Sequence, residues 1–367
     1  MKRFNGIALS VAFCSLASQA ALAQTKIDTL KVQNLNEVIV KGVRAAKEAP
    51  YAVANIRKSE LKQFSCSGQE LPFLLSRTPG ILAWSENGIG TGTTYMRIRG
   101  AAGSRINVTL DGVALNSPED QTVFWANMNS YSSLLGSIQV QRGVGSSTNG
   151  DGAFGGSISM ATAAPSLTPT AEVTGSFGSY NTYHTGASFS TGLLGKHLIF
   201  DGAYHETATD GYVDGTAGRS GSYYGGLTWL SDNFKVSYKN IGNFEKTGQA
   251  WNGVLGGDYN SNFSLLQDGI RTYKDMYKAG LDKFNVLTGD MVRNDKGDYT
   301  ITPYTLRDGS KWDKTTDNFY QNHNILSATW TPGSHWSHSL SLHYTYGYGY
   351  YKEFKNNAKF AKFGLIY

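Results

Sequence analysis

The chain has 367 residues, among them 43 glycines and 22 tyrosines, with 17% charged residues and a formal net charge of +5. This small positive charge argues against nucleic acid as a partner. Beyond the N-terminus no segment has about 18 consecutive apolar residues, the length that a membrane-spanning helix needs. A membrane-embedded form would therefore have to be a β-barrel.

The first residues have the layout of a secretory signal peptide. Lys2 and Arg3 form a positively charged start, an apolar stretch follows over residues 7–16, and residues 21–23 (ALA) form a cleavage site. We expect cleavage of residues 1–23, with Gln24 as the first mature residue.

Cysteine usage fits an exported chain without disulfides. A lipoprotein signal at Cys14 is excluded, because Phe13 stands where lipidation requires a small residue. Cys66 is then the one cysteine of the mature chain, so no intramolecular disulfide can form. We interpret Cys66 as a small buried residue.

Three regions follow the signal peptide. Residues 24–48 are polar and lack helical periodicity, which predicts an extended segment. Residues 49–162 predict a compact α+β domain: Ser67 and Glu70 fit a capping box, and a helix follows until Pro79. Short strands are predicted at 95–99, 106–110 and 137–141, with a turn at residues 111–112.

Residues 163–367 alternate with period two. Leu340, Leu342 and Tyr344, for example, lie on one face of a strand, and Ser341 and His343 on the other. Seven strands are predicted, near 171–177, 182–191, 197–206, 221–230, 234–244, 318–330 and 337–350. An apolar, aromatic face opposite a polar one suits a transmembrane barrel. A soluble β-sandwich also alternates, but the aromatic content and the export signal favour the membrane.

The connections between these strands alternate in length. Those at 191–196, 231–233 and 331–336 are short, whereas 207–220 is longer and 245–317 very long. Short turns on one side and long loops on the other are typical of outer-membrane barrels. The turn at 178–181 is a short exception on the long side. Residues 245–317 are too many for a plain connection, and either close over a bound molecule or contain a further hairpin.

Five motifs of the α+β domain follow one another in a fixed order. They are LLSRTPGI (74–81), MRIRG (96–100), NVTLDGV (107–113), SIQVQRG (137–143) and GDGAFGGSI (150–158). In composition and order they resemble the plug domain of TonB-dependent outer-membrane receptors. Gln139 replaces the usual Glu, so an ion pair that relatives make there is absent. Runs at 122–125 and 350–355 resemble receptors of the Bacteroidetes lineage.

The resemblance covers the mature chain from Leu35 to its end. It implies an α+β plug domain followed by the first seven or so strands of an antiparallel transmembrane β-barrel. Such a receptor is no enzyme, has no cofactor, and imports a scarce large nutrient: a ferric siderophore, haem or cobalamin. Its partners are that cargo, outer-membrane lipid and the periplasmic C-terminal domain of the TonB energy-transducing complex.

Coupling to TonB is expected through an extended box at Glu37, Val38, Ile39 and Val40 within residues 24–48, which adds as a strand to the partner's sheet. Lys41 stands where the family usually has Thr. Alone, these four residues could equally be a stray apolar patch; their place between signal peptide and plug favours the box.

The resemblance also suggests contacts between plug and barrel. Arg97, Arg99 and Arg142 are candidates to face carboxylates on the barrel wall, and pairing within the plug is the alternative. Gly143 begins a glycine-rich stretch where plug backbone is expected to lie against the barrel, or which is merely a flexible loop.

Cargo contacts are expected from loops of the plug that point outward. Candidates are Trp84, Gln121, Phe124 and Trp125, and packing at the plug rim is the alternative. The seven histidines show no metal-ligand spacing, so no metal site is predicted.

Three rival functions were weighed. A passive porin would need neither the plug motifs nor the box. A binding-only adhesin or non-transporting receptor fits the loops but not the box. An enzyme would need a catalytic constellation, and no G-x-S-x-G or H-E-x-x-H motif occurs.

Seven strands are too few to enclose a domain of about 110 residues, since a lumen of that size goes with about 22 strands. Seven is also an odd number, whereas single-chain bacterial barrels have an even one. The chain is therefore expected to be either a fragment or an early-terminated product, which ends in an extracellular loop and cannot transport by itself.

Overall fold

The computed structural model describes residues 44–45, 50, 52–145, 153–251, 253, 265, 268–333, 335–355 and 359–364. The expected signal peptide and the box at residues 37–40 lie outside these ranges. No helix within them is both long enough and apolar enough to cross a membrane.

A five-stranded mixed sheet forms the centre of the α+β domain. Its strands are β1 (Ala52–Arg57), β4 (Ile106–Leu110), β5 (Val113–Ala114), β6 (Leu135–Arg142) and β7 (Gly156–Thr162), in the order β1-β6-β7-β4-β5. Only β4 and β7 pair in parallel. One face of the sheet is apolar, with Ile138, Val140, Ile158 and Met160 in the buried core. The helices pack on this face because it excludes water from their apolar sides.

Two short helices follow β1 in the chain: α1 (Lys58–Ser65) and α2 (Leu71–Leu75). The capping box predicted at Ser67 is wrong, because Glu70 is the N-cap residue of α2. The Ser67 hydroxyl instead accepts a bond from the N–H of Gln69. Pro72 lies in the first turn of α2, where its missing N–H costs nothing. Cys66, predicted to be buried, is exposed because it caps the end of α1.

A separate hairpin, β2 (Ile81–Ser85) and β3 (Thr94–Ile98), stands beside the sheet. A 3-10 helix (Trp125–Met128) and the short α3 (Tyr131–Leu134) lie between β5 and β6 in the chain. Ile81, Met96 and Ile98 bury one side of the hairpin in the core, which leaves its other side outside the core.

Seven antiparallel strands form the second sheet, and each pairs with the strand of this sheet that follows it in the chain. They are β8 (Thr170–Phe177), β9 (Tyr183–Ser190), β10 (Leu198–Thr209), β11 (Gly218–Leu230), β12 (Phe234–Gly248), β15 (Thr316–Trp330) and β16 (His338–Lys352). The predicted number of strands is confirmed. Within the described ranges the sheet is open, with β8 and β16 at its edges.

The predicted faces are confirmed for β10 and β11. Tyr204 and Trp229 are exposed on one side, whereas His205 and Thr228 are buried on the other, which faces the α+β domain. Both sides of the edge strand β16, which contains Leu340, are exposed. Several strands are longer than predicted; for example, β12 continues to Gly248 and β15 begins at Thr316. There the pairing continues after the apolar alternation has stopped.

The long connection after β12 has structure of its own. It contains α4 (Tyr273–Lys278) and a hairpin of β13 (Gly289–Arg293) with β14 (Tyr299–Pro303). The further hairpin considered from the sequence is therefore present.

Candidate functional site

The exposed side of the β2–β3 hairpin combines aromatic, aliphatic and cationic side chains. Leu82 pairs with Arg97 and Trp84 with Tyr95 across the two strands, and all four are exposed. The Trp84 and Tyr95 rings stack with centroids 5.3 Å apart at 21°. The Arg97 guanidinium carbon lies 6.0 Å from the Trp84 ring centroid. Such a face can hold a planar or anionic ligand by stacking and charge.

The hairpin is anchored at the end of the seven-stranded sheet that carries the long connections. Glu86 accepts bonds from the Tyr95 hydroxyl at 2.6 Å and from the Ala250 N–H at 3.2 Å. The Thr93 hydroxyl donates to the side-chain oxygen of Gln249. Burial raises the pKa of Glu86, and burial together with this carboxylate raises the pKa of Tyr95. The Tyr95 hydroxyl therefore stays protonated and holds its ring in place.

The turn of the hairpin is built around Asn87. Its side-chain oxygen accepts bonds from the N–H groups of Ile89 (3.0 Å) and Gly90 (3.2 Å), and its carbonyl accepts from the N–H of Tyr212 at 3.0 Å. Gly90 has φ +90°, and a Cβ there would lie 2.8 Å from Nε2 of Gln69. A side chain at this position would therefore be both strained and obstructed.

The long connection after β12 docks on the same end of the sheet. The Asn285 amide donates to the carbonyls of Asp214 (2.8 Å) and Gln249 (2.9 Å). The Tyr212 hydroxyl donates to Asp282 and accepts from the Tyr273 hydroxyl. Tyr212 thus contacts both the turn at Asn87 and the long connection.

The other predicted cargo residues are dispersed. Phe124 is 61% exposed and Gln121 is exposed with φ +59°. Trp125 is 6% exposed and belongs to the apolar core, which favours the alternative reading of packing for this side chain. Phe124 and Trp125 are adjacent in the sequence but differ in burial, because the 3-10 helix begins at Trp125.

The predicted arginines make contacts inside the α+β domain. Arg142 donates to the carbonyl of Pro79 at 2.7 Å. The Arg99 side chain lies beside Gly143, where a Cβ would be 3.1 Å from its Nη1. None of the ion pairs found among the described residues includes Arg97, Arg99 or Arg142.

One ion pair between the two sheets was missed by the sequence analysis. The Lys239 ammonium on β12 lies 2.7 Å from the Asp111 carboxylate and 2.6 Å from the Thr162 hydroxyl. Asp111 also accepts from the Thr162 N–H (2.9 Å) and hydroxyl (2.8 Å). Burial alone would raise the pKa of Asp111, but Lys239 and Thr162 outweigh it and lower that pKa. The sequence does not predict this ion pair, because residues 111–112 indicate only a turn and because Asp111 and Lys239 are far apart in the chain.

A second missed group is Glu70, which is 1% exposed at the start of α2. Burial raises the pKa of its carboxyl to about 8, although Thr94 and Asn129 partly offset this effect. Glu245 of β12 is another buried carboxylate that interacts with it electrostatically. Glu70 is therefore mostly neutral at pH 7.

Histidines come together in one place. The His184 and His205 rings stack with centroids 5.7 Å apart, and His184 bonds the Thr207 hydroxyl at 3.0 Å. In the described part of the chain no three His, Cys, Asp or Glu side chains are arranged to hold a metal ion.

Residues 45–157 match the family model described as the TonB-dependent receptor plug domain. No curated protein matches the chain.

Solved structures share the fold at low sequence identity. The alcaligin outer-membrane receptor of Bordetella pertussis is 11% identical with a TM-score of 0.55, over 84% of this chain and 41% of that one. The ferric yersiniabactin uptake receptor of Yersinia pestis is 13% identical with a TM-score of 0.57, over 86% and 44%. The ferric-catecholate import receptor of E. coli K12 is 13% identical with a TM-score of 0.59, over 82% and 39%.

The chain thus aligns with about two fifths of the length of these receptors. The chain comprises a TonB-dependent receptor plug domain, over residues 45–157, followed by seven antiparallel strands with the fold of such receptors' barrels.

Proposed function

We propose that this protein is a TonB-dependent receptor of the outer membrane that binds and imports a ferric chelate of the siderophore class. The exposed face of Leu82, Trp84, Tyr95 and Arg97 carries this proposal. Siderophore complexes present aromatic or anionic groups around the iron, and this face offers stacked rings and one guanidinium.

The position of this face supports the proposal. The turn at Asn87 is bonded to Tyr212, and Glu86 to Ala250, both at the end of the sheet with the long connections. In an outer-membrane barrel that end opens to the cell exterior. Three of the receptors with this fold are described as acting on alcaligin, ferric yersiniabactin and ferric catecholates.

Energy coupling is part of the same proposal. Glu37–Val40 is the segment that would add as a strand to the TonB C-terminal domain, and the plug would rearrange when it is pulled. Arg99, Arg142 and Gly143 are proposed to contact the rest of the barrel wall, whereas Arg97 is assigned to the cargo-binding face. The signal peptide 1–23 would direct export.

Binding of radiolabelled chelates tests the cargo class. Cells that carry the receptor are incubated with ⁵⁵Fe-labelled catecholate, hydroxamate and citrate chelates, haem and labelled cobalamin. We expect saturable binding of one iron chelate, which Trp84→Ala weakens about tenfold or more.

The control is Trp229→Ala, an exposed tryptophan on the outward face of β11 that stacks on His197. It should leave binding unchanged. Saturable binding of haem or cobalamin alone would contradict the siderophore assignment, and equal effects of the two variants would remove the β2–β3 face from the site.

A further inference from the structure

The two faces of the plug sheet differ in chemistry. Opposite the apolar core face lies a face of amide and hydroxyl side chains that is also buried. Its members are Asn107, Thr109, Gln139, Gln141, Ser157 and Ser159. Buried polar groups need hydrogen-bond partners, so a polar face excluded from solvent implies a polar segment seated on it.

Arg44 and Ala45 are seated on this face. The Arg44 guanidinium donates to the hydroxyl (3.0 Å) and carbonyl (3.3 Å) of Ser137, and to the hydroxyl (3.3 Å) and carbonyl (3.0 Å) of Ser159. One side chain therefore bridges β6 and β7, two interior strands of the sheet. These contacts join residues 93 and 115 positions apart.

The side-chain carboxamide of Gln139 both accepts a hydrogen bond from the backbone of Ala45 and donates one to it. Its side-chain oxygen accepts from the Ala45 N–H at 2.8 Å, and its amide donates to the Ala45 carbonyl at 3.2 Å. The second amide hydrogen has a partner in the side-chain oxygen of Asn55 at 3.0 Å. Both hydrogens and the oxygen of this carboxamide are used.

A glutamate could not make this arrangement. Its carboxylate could accept from the Ala45 N–H, but it has no hydrogen for the Ala45 carbonyl or for Asn55. The carbonyl oxygen of Ala45 and the side-chain oxygen of Asn55 would then face the buried negative charge of the glutamate. The amide at residue 139 is therefore specific for a residue that presents both its own N–H and its own C=O.

We propose that Asn55, Ser137, Gln139 and Ser159 form a retention site for Arg44 and Ala45, at which tension on the upstream segment first acts on the plug sheet. The tension part of this inference rests on the proposed function. Val40 precedes Arg44 by four residues, at most about 14 Å of extended chain. A force applied at Val40 is therefore transmitted through Arg44 to β6 and β7 before it acts on the edge strand β1, because β1 begins only at Ala52.

Amide hydrogen exchange tests the site directly. The receptor in outer-membrane vesicles is compared with Gln139→Glu, Arg44→Gln and the matched control Gln141→Glu, a buried glutamine two residues along the same face. We expect exchange at Ala45 to become about tenfold faster in Gln139→Glu and faster in Arg44→Gln, and to stay unchanged in the control.

Arg44→Gln keeps the test decisive if Gln139→Glu does not fold, because Arg44 lies outside the sheet. Unchanged exchange at Ala45 in both variants would overturn the retention site, as would equal acceleration in Gln141→Glu.

Uptake measurements test the tension part. Gln139→Glu should bind cargo normally and lose several-fold in the rate of energy-dependent uptake, whereas Gln141→Glu should not. A normal uptake rate in Gln139→Glu would overturn the role in transmission. If wild-type uptake proves independent of TonB, the proposed function fails, while the exchange result still decides whether the retention site exists.

Discussion

Replacing Lys239 with methionine tests the contact between the plug and β12. The variant keeps an unbranched apolar side chain but removes the ammonium 2.7 Å from Asp111. Asp111 would keep its two bonds from Thr162, yet its side chain is only 10% exposed and that of Lys239 18%. Removing one partner of a buried ion pair costs about 3–5 kcal/mol, because the remaining charge is left without compensation. The opening equilibrium of this part of the plug should rise by a factor of roughly one hundred to several thousand.

Native-state hydrogen exchange of the β4 and β7 amides measures this equilibrium. Lys246→Met is the matched control, since Lys246 lies on the same strand but is exposed. The double variant Asp111→Asn with Lys239→Met should recover most of the loss, because no buried charge then remains. Exchange within twofold of the wild type in Lys239→Met would refute the assignment of this pair as a plug–barrel contact.

Two further predictions concern the plug. The pKa of Glu70 is raised from 4.5 to about 8, so its contribution to stability is fully present below pH 4.5 and is lost as the pH rises through 8. Glu70→Gln should therefore stabilise residues 69–75 by roughly 3–5 kcal/mol at pH 9 and have little effect at pH 4, measured by hydrogen exchange; a pH-independent effect would contradict the buried neutral carboxyl. Gly90→Ala should destabilise the hairpin turn by about 1–3 kcal/mol in thermal unfolding, more than Gly100→Ala, because Gly100 also has a positive φ but open space for a Cβ. Equal destabilisation by Gly90→Ala and Gly100→Ala would show that backbone strain alone sets the cost of the substitution.

The strands of the second sheet could be predicted because each alternates over many residues, a strong period-two signal. Their outer ends could not, since Glu245 to Gly248 continue the ladder where the apolar face has stopped. In the plug, β7 (GSISMAT) was missed because its alternation of polar and apolar residues covers only residues 157–160, which is too short to stand out in the sequence. The helix α1 was missed as well, with eight residues and a mostly polar sequence.

The candidate site was only partly accessible from the sequence. Trp84 was identified as an outward aromatic residue, but its partners Tyr95 and Arg97 become visible only when the hairpin pairing is known. Phe124 and Trp125 look equivalent in sequence, and the start of a 3-10 helix separates one from the other. Asp111 and Lys239 are 128 residues apart, and one sequence holds no signal that joins them. Gln139 was noted as the loss of an ion pair, whereas its amide makes three hydrogen bonds.

Uptake by Val38→Pro decides whether this plug takes part in energy-coupled import. Proline removes a backbone N–H that strand addition to TonB requires, and Val38 lies far in the chain from the β2–β3 hairpin. In cells that produce the receptor, uptake of ⁵⁵Fe-labelled chelate is measured beside binding at 0 °C, with Gln33→Pro, outside the box, as the control. We predict normal binding by Val38→Pro with uptake reduced to the level of a strain without TonB, and normal uptake by the control. Uptake by Val38→Pro at the wild-type rate would contradict energy coupling through residues 37–40.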